Sequence, residues 1–156
     1  MMIGAVSKVA TADYRALAQF RYEIRKFLAF SEAAARGAGI EPQQHQALLA
    51  IKGLPEGVEP TIGALAERLC VQHHTAVALV DKIEERLWAK RQRGTIDRRQ
   101  VLITLTPKGS ALLAKLSAMH RDQLGTVGSK MVQALDVIVS AQAGKRPKKR
   151  EEPKKR

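Results

Sequence analysis

The feature that most constrains this chain is a change of hydrophobic period. Up to Leu87 apolar side chains recur at three- and four-residue steps. Lys90 to Arg93 then reads as a short polar strand, Gly94 to Gln100 as a charged loop, and Val101 to Leu105 as a β-rich strand, before helical spacing returns. A chain patterned this way is mainly α with a small β-hairpin.

The helical stretches follow from their stripes and their ends. Tyr14, Leu17, Phe20, Ile24, Phe27 and Leu28 share one face of a helix from about Asp13 to Ala35, ended by Gly37 and Gly39. Pro42 suits the first turn of a second helix, whose Ala47, Leu48 and Ile51 point inward and which Gly53 closes. Thr61 can cap a short third helix carrying Ile62, Leu65, Ala66 and Leu69. After a turn at Cys70, Val71 and Gln72, a fourth helix shows Ala76, Leu79, Val80, Ile83 and Leu87 on one face. Two short helices across a tight turn, followed by a hairpin, form a winged helix-turn-helix. Thr106 and Pro107 begin a long helix with Ala111, Leu112, Leu116 and Met119 inward. Gly125 and Gly128 suggest a break, with a last helix from about Ser129 to Ala141. The expected organisation is an N-terminal dimerisation helix in 1–40, a reading lobe in 41–105, C-terminal dimerisation helices in 106–143 and a disordered basic tail in 144–156.

Charge narrows the function. The 156 residues hold 27 Lys and Arg against 15 Asp and Glu, a formal +12 that favours a polyanionic partner. Residues 145–156 supply +6 of this, so the body is basic by itself. The segment 86–108 holds Arg86, Lys90, Arg91, Arg93, Arg98, Arg99 and Lys108 against Asp97. Such a hairpin can lie along phosphates and place an arginine in the minor groove. Asp97 is the exception, and a carboxylate there can pair with Arg99 or Arg98 and hold its guanidinium in place. At the start of the fourth helix Gln72, His73, His74 and Thr75 offer amide, imidazole and hydroxyl groups to base edges or phosphates, and Ala78 leaves room for close approach. Thr61, Lys82, Arg91 and Arg93 complete the candidate contacts to double-stranded DNA.

The motifs Thr61-Ile62-Gly63-Ala64-Leu65-Ala66-Glu67-Arg68-Leu69, Leu79-Val80-Asp81-Lys82-Ile83-Glu84-Glu85-Arg86, and Asp97-Arg98-Arg99 through Leu105-Thr106-Pro107-Lys108-Gly109 resemble the MarR family of winged-helix regulators. The resemblance implies a homodimer on a palindromic operator, recognition helices in major grooves, wings in flanking minor grooves, and control by a small ligand, aromatic or amphipathic, or by an oxidant, with repression the expected mode. Amphipathic outer helices with more apolar surface than one lobe can cover support pairing independently, with Leu17, Ile24, Leu124, Met131, Leu135 and Ile138 as candidate interface residues. The family's pocket would be bordered by Tyr14, Phe20, Phe27, His45 and Leu48. Where the family usually has Gly-Leu after the recognition helix this chain has Leu87-Trp88, so that helix end lacks its glycine cap and Trp88 becomes a core anchor at the wing base.

Other classes find less support. His73 and His74 are adjacent and diverge on a helix, and His45 and His120 are distant in sequence, so no metal or cofactor is expected. Cys70 alone forms no intramolecular disulfide and is expected to be buried as a small apolar residue. No phosphate-binding glycine loop or Ser-His-Asp ordering points to an enzyme. No secretion signal and no membrane span is evident, so a cytoplasmic location is expected. The alternative function is a non-specific architectural protein that relies on its basic wing and tail.

Overall fold

A computed structural model describes residues 8–144, so all of the expected basic tail beyond Gly144 lies outside the described residues. Five helices and one hairpin run in the order α1 (Thr11–Gly37), α2 (Pro42–Lys52), α3 (Ile62–Leu69), α4 (His73–Glu85), β1 (Ala89–Arg93), β2 (Val101–Leu105) and α5 (Pro107–Ala143). This is the winged helix-turn-helix that the change of period implies. Two expectations fail. α5 passes through Gly125 and Gly128 without a break, because two glycines subtract only about 1 kcal/mol each from a long helix. Leu87, assigned to the inner face of α4, lies beyond the helix end and is 67% exposed.

The described residues form two compact units. The first, residues 28–122, holds the main core. Leu48, Leu65, Ile83, Ile103 and Leu116 are fully buried there, drawn from α2, α3, α4, β2 and α5, and Trp88 joins them at 4% exposure as the expected anchor. The hairpin is antiparallel, with Ala89 opposite Leu105, Arg91 opposite Ile103 and Arg93 opposite Val101. Ile103 N–H also donates to Pro60 O at 2.8 Å, which fastens β2 to the segment leading into α3.

Three helices end in the same way. Ile40 N–H bonds Ala35 O, Val71 N–H bonds Ala66 O, and Trp88 N–H bonds Ile83 O, each across a residue in the left-handed region: Gly39, Cys70 and Leu87. These are Schellman turns, which satisfy orphan carbonyls at a helix C-terminus. Glycine takes the left-handed conformation freely, whereas a side chain pays about 1–2 kcal/mol. Leu87, at φ 59° and mostly exposed, gains little burial in return. Leu87→Gly is therefore expected to raise unfolding free energy by about 0.5–1 kcal/mol, net of glycine's greater unfolded-state entropy. A urea melt that showed destabilisation would mean that the leucine side chain is covered by something other than its own chain. Cys70 owes its exposure to the same geometry, which corrects the expectation of burial.

The second unit comprises the described parts of 1–27 and 123–156. Glu23 is buried there at 1% exposure, accepting from Gln19 Nε2 at 2.8 Å and pairing with Lys26 Nζ at 3.4 Å. A groove of about 580 Å³ runs between Ala12, Arg15, Ala16 and Gln19 on α1 and Lys130, Gln133, Ala134 and Val137 on α5. Leu17, Leu124 and Leu135 are 46%, 38% and 39% exposed, while Ile24, Met131 and Ile138 are half-buried.

Candidate nucleic-acid interface

The helix-turn-helix builds the surface from its caps outward. Thr61 Oγ1 accepts from Ala64 N–H at 3.2 Å and starts α3; the left-handed Cys70 stops it, and Gln72 opens α4 without a side-chain cap. Thr75 N–H is bonded to Gln72 O at 3.0 Å, and the His73 and His74 amides stand ahead of it at the positive dipole end of α4. Gln72, His73, His74 and Ala78 are exposed and Thr75 is half-buried, while Ala76, Leu79, Val80 and Ile83 are buried. One face of α4 is therefore committed to the core, and the other face and the N-terminal turn are open. Lys82 is exposed and borders a groove of about 380 Å³ with Arg36, Gln43 and Gln44.

The wing is locked at both ends. At its tip Gly94 N–H donates to Gln100 O at 3.0 Å and Gln100 N–H to Asp97 O at 3.1 Å. A Cβ on Gly94 would lie 2.5 Å from Asp97 O, so only glycine permits this closure. Asp97 Oδ1 accepts from Arg99 N–H at 2.9 Å and from Arg99 Nε at 3.3 Å. The expected Asp97 pairing is thus made with Arg99, whose side chain is 93% exposed. Arg93 and Arg98 are exposed as well.

Arg91 differs from its basic neighbours. The two-residue alternation of β1 puts it on the same face as buried Ala89, turned toward α4. Its guanidinium bonds Asp81 Oδ1 at 2.6 Å and pairs with Glu84 Oε2, and its N–H donates to Glu84 Oε1 at 3.2 Å. Hydrogen bonding to Asp81, reinforced by Glu84, raises the Arg91 pKa further above its ordinary value. The cation is consumed in joining hairpin to helix, and it offsets part of the negative charge that Asp81 and Glu84 place on α4. Asp81 and Glu84 were not among the candidate site residues; their spacing of three on α4, opposite an inward arginine of β1, is the signal that marks them.

The Thr106-Pro107-Lys108-Gly109 motif also acquires a physical meaning. Thr106 Oγ1 donates to Leu87 O at 2.6 Å and accepts from Gly109 N–H at 3.1 Å, while Lys108 Nζ donates to Arg86 O at 3.0 Å. Arg86 stacks 4.5 Å above the Trp88 ring and reaches Gly39 O at 3.3 Å. Lys108 and Arg86, counted in the wing's basic charge, are thus spent on holding the turn between α4 and β1.

The candidate pocket residues divide between the units. Tyr14, 62% exposed, and half-buried Phe20 and Phe27 belong to the second unit, and buried His45 and Leu48 to the first. His45 and His120, distant in sequence, stack with ring centroids 5.0 Å apart. His120 bonds Leu116 O at 2.6 Å and Ser31 Oγ at 2.7 Å, whereas His45 Nδ1 is buried with no hydrogen-bond partner among the described residues. Desolvation, and then the charge of His120, lowers the His45 pKa. The unfolded chain therefore binds this proton more readily than the folded one. The resulting stability is complete above the ordinary value of about 6.5 and declines as pH falls from there toward the folded pKa. Urea midpoints taken between about pH 7.5 and 5 should fall more steeply for the wild type than for His45→Gln; parallel curves would reject the linkage.

Comparison with known proteins agrees with this architecture. The MarR family model matches residues 38–100. AbsC, a MarR family transcriptional regulator from Streptomyces coelicolor, is similar over 90% of this chain and 100% of its own, with a TM-score of 0.65 at 15% identity. CouR from Rhodococcus jostii RHA1, solved bound to p-coumaroyl-CoA, is similar over 72% of this chain and 83% of its own, with a TM-score of 0.57 at 26% identity. A mutant MarR from E. coli complexed with operator DNA is similar over 78% of this chain and 89% of its own, with a TM-score of 0.59 at 18% identity. No curated protein matches the chain by sequence.

Proposed function

We propose that this protein, a member of the MarR family with the DNA-binding fold of that family's transcription regulators, is a homodimeric cytoplasmic repressor that reads a palindromic operator and is released by a small aromatic or amphipathic ligand. The observation that carries the reading is the open N-terminal turn of α4 beside a basic hairpin that is bolted to the same helix through Arg91. Gln72, His73, His74 and Thr75 address base edges, with Ala78 allowing approach, while Thr61 and Lys82 address phosphates. Arg93, Arg98 and Arg99 address the backbone and minor groove, and Arg91 positions the wing without touching DNA. Pairing is supported by the exposure of Leu17, Leu124 and Leu135 in a single chain. The operator-bound and ligand-bound relatives support the two partner classes. Among the described residues no helix is long and apolar enough to cross a membrane.

Selection of bound sequences from a random duplex pool at near-physiological salt tests the proposal. A recovered palindrome with half-sites about one helical turn apart is the expected result. On that operator Arg99→Ala should weaken binding by about 1–3 kcal/mol while sedimentation still reports a dimer. An unenriched pool, with binding that depends on residues 145–156, would replace the regulator with the architectural alternative.

A further inference from the structure

The most exposed large apolar side chain among the described residues stands at the tip of the wing. Ile96 is 95% exposed, in a bend just before the Asp97–Gln100 turn, where a polar residue or glycine is usual. The turn that presents it is held by the Gly94–Gln100 and Gln100–Asp97 backbone bonds and by Asp97 capping Arg99 N–H. Around it lie Arg93, Arg98 and Arg99, all exposed, with the Arg99 guanidinium held by Asp97. The tip is thus a branched apolar knob with three exposed arginines within three positions of it along the chain. Water is a poor solvent for the knob, and the cations specify what would replace it. A narrow minor groove concentrates negative potential that draws arginine inward, and isoleucine is among the apolar side chains that enter minor grooves and pry base steps apart.

We propose that Ile96 is a minor-groove wedge: drawn in by the flanking arginines, it buries against the groove floor, partly unstacks one base step and bends the duplex. This rests on the wing meeting DNA as read above. A pyrimidine–purine step opens with least cost, so Ile96 adds preference for TA or CA/TG outside the half-sites, at positions where no hydrogen bond reads a base. Being uncharged, it contributes affinity without releasing a counterion.

The test uses the full-length protein and its Ile96→Ala and Ile96→Leu variants on the selected operator, with 2-aminopurine placed in the flanking steps and end-labels reporting the bend. The wild type is expected to raise 2-aminopurine fluorescence at one flanking step and to bend the duplex. Ile96→Ala should lose both and bind roughly threefold to tenfold more weakly with an unchanged salt slope, and Ile96→Leu should retain both. Equal fluorescence, bend and affinity for wild type and Ile96→Ala would overturn the wedge. If selection recovers no operator, the regulator reading fails separately, and the same fluorescence comparison on a mixed duplex containing TA steps still decides the role of Ile96.

Discussion

Gly109→Ala is expected to lower folding stability by about 3 kcal/mol or more, enough to unfold much of a marginally stable domain. A Cβ at this position would lie 1.9 Å from Trp88 O and 2.7 Å from Trp88 C. Both are backbone atoms of a residue fixed on every side. Trp88 O accepts from Thr106 N–H at 3.0 Å, Trp88 N–H closes the turn onto Ile83 O, and the ring is buried in the core. No side-chain rotation can relieve the overlap, so either α5 or the turn between α4 and β1 must shift. Gly125→Ala provides the control within the same helix, since among the described residues no atom beyond its own stretch of helix lies within 4 Å of a Cβ placed there. There alanine is expected to add about 0.5–1 kcal/mol through helix propensity. Thermal melts of the two variants should therefore move in opposite directions. A Gly109→Ala protein as stable as wild type would show that α5 does not pass the turn as closely as described.

Arg91→Ala is expected to weaken operator binding by about 2–3 kcal/mol, as much as or more than loss of Arg99, although Arg91 is assigned no contact with DNA. Two effects act together. The wing loses its two side-chain bonds to Asp81 and Glu84, while the backbone N–H of residue 91 still reaches Glu84, and both carboxylates lose their cation on the helix proposed to meet the phosphates. The side chain is 29% exposed and its partners 52% and 37%, so solvent screens the pair and the folding cost should stay near 1 kcal/mol. Affinity measured across a double-mutant cycle separates the effects: in an Asp81→Asn, Glu84→Gln background, Arg91→Ala should lose much less. Equal losses in both backgrounds would make Arg91 a direct phosphate contact, and its salt slope would fall by about one.

These two residues show where sequence was sufficient and where it was not. The Thr106-Pro107-Lys108-Gly109 motif is visible as a string, and its first half declares a helix start by cap chemistry alone. The need for glycine depends on a carbonyl 21 positions earlier that only packing brings alongside. Arg91 reads in the string as one more cation of a basic run. Its burial side follows from the period of β1, but its partners lie on another element. Leu87 was misassigned because helical periodicity carries meaning only while the chain is helical, and α4 ends at Glu85. The histidine pair was invisible for the same reason as the glycine contact, with His45 on α2 and His120 on α5.

Sequence by itself determined the order and kind of the elements up to the start of α5, though not that α5 runs unbroken, together with the Thr61 and Thr106 starts, the hairpin strands and the open start of α4, because caps, turns and amphipathic stripes arise among residues within a few positions of one another. Tertiary structure alone decided which cations face outward and which are spent, why Gly109 must be glycine, that Leu87 turns left-handed, and that His45 meets His120. Those outcomes depend on packing between elements far apart along the chain, and a local pattern carries no record of its distant partner.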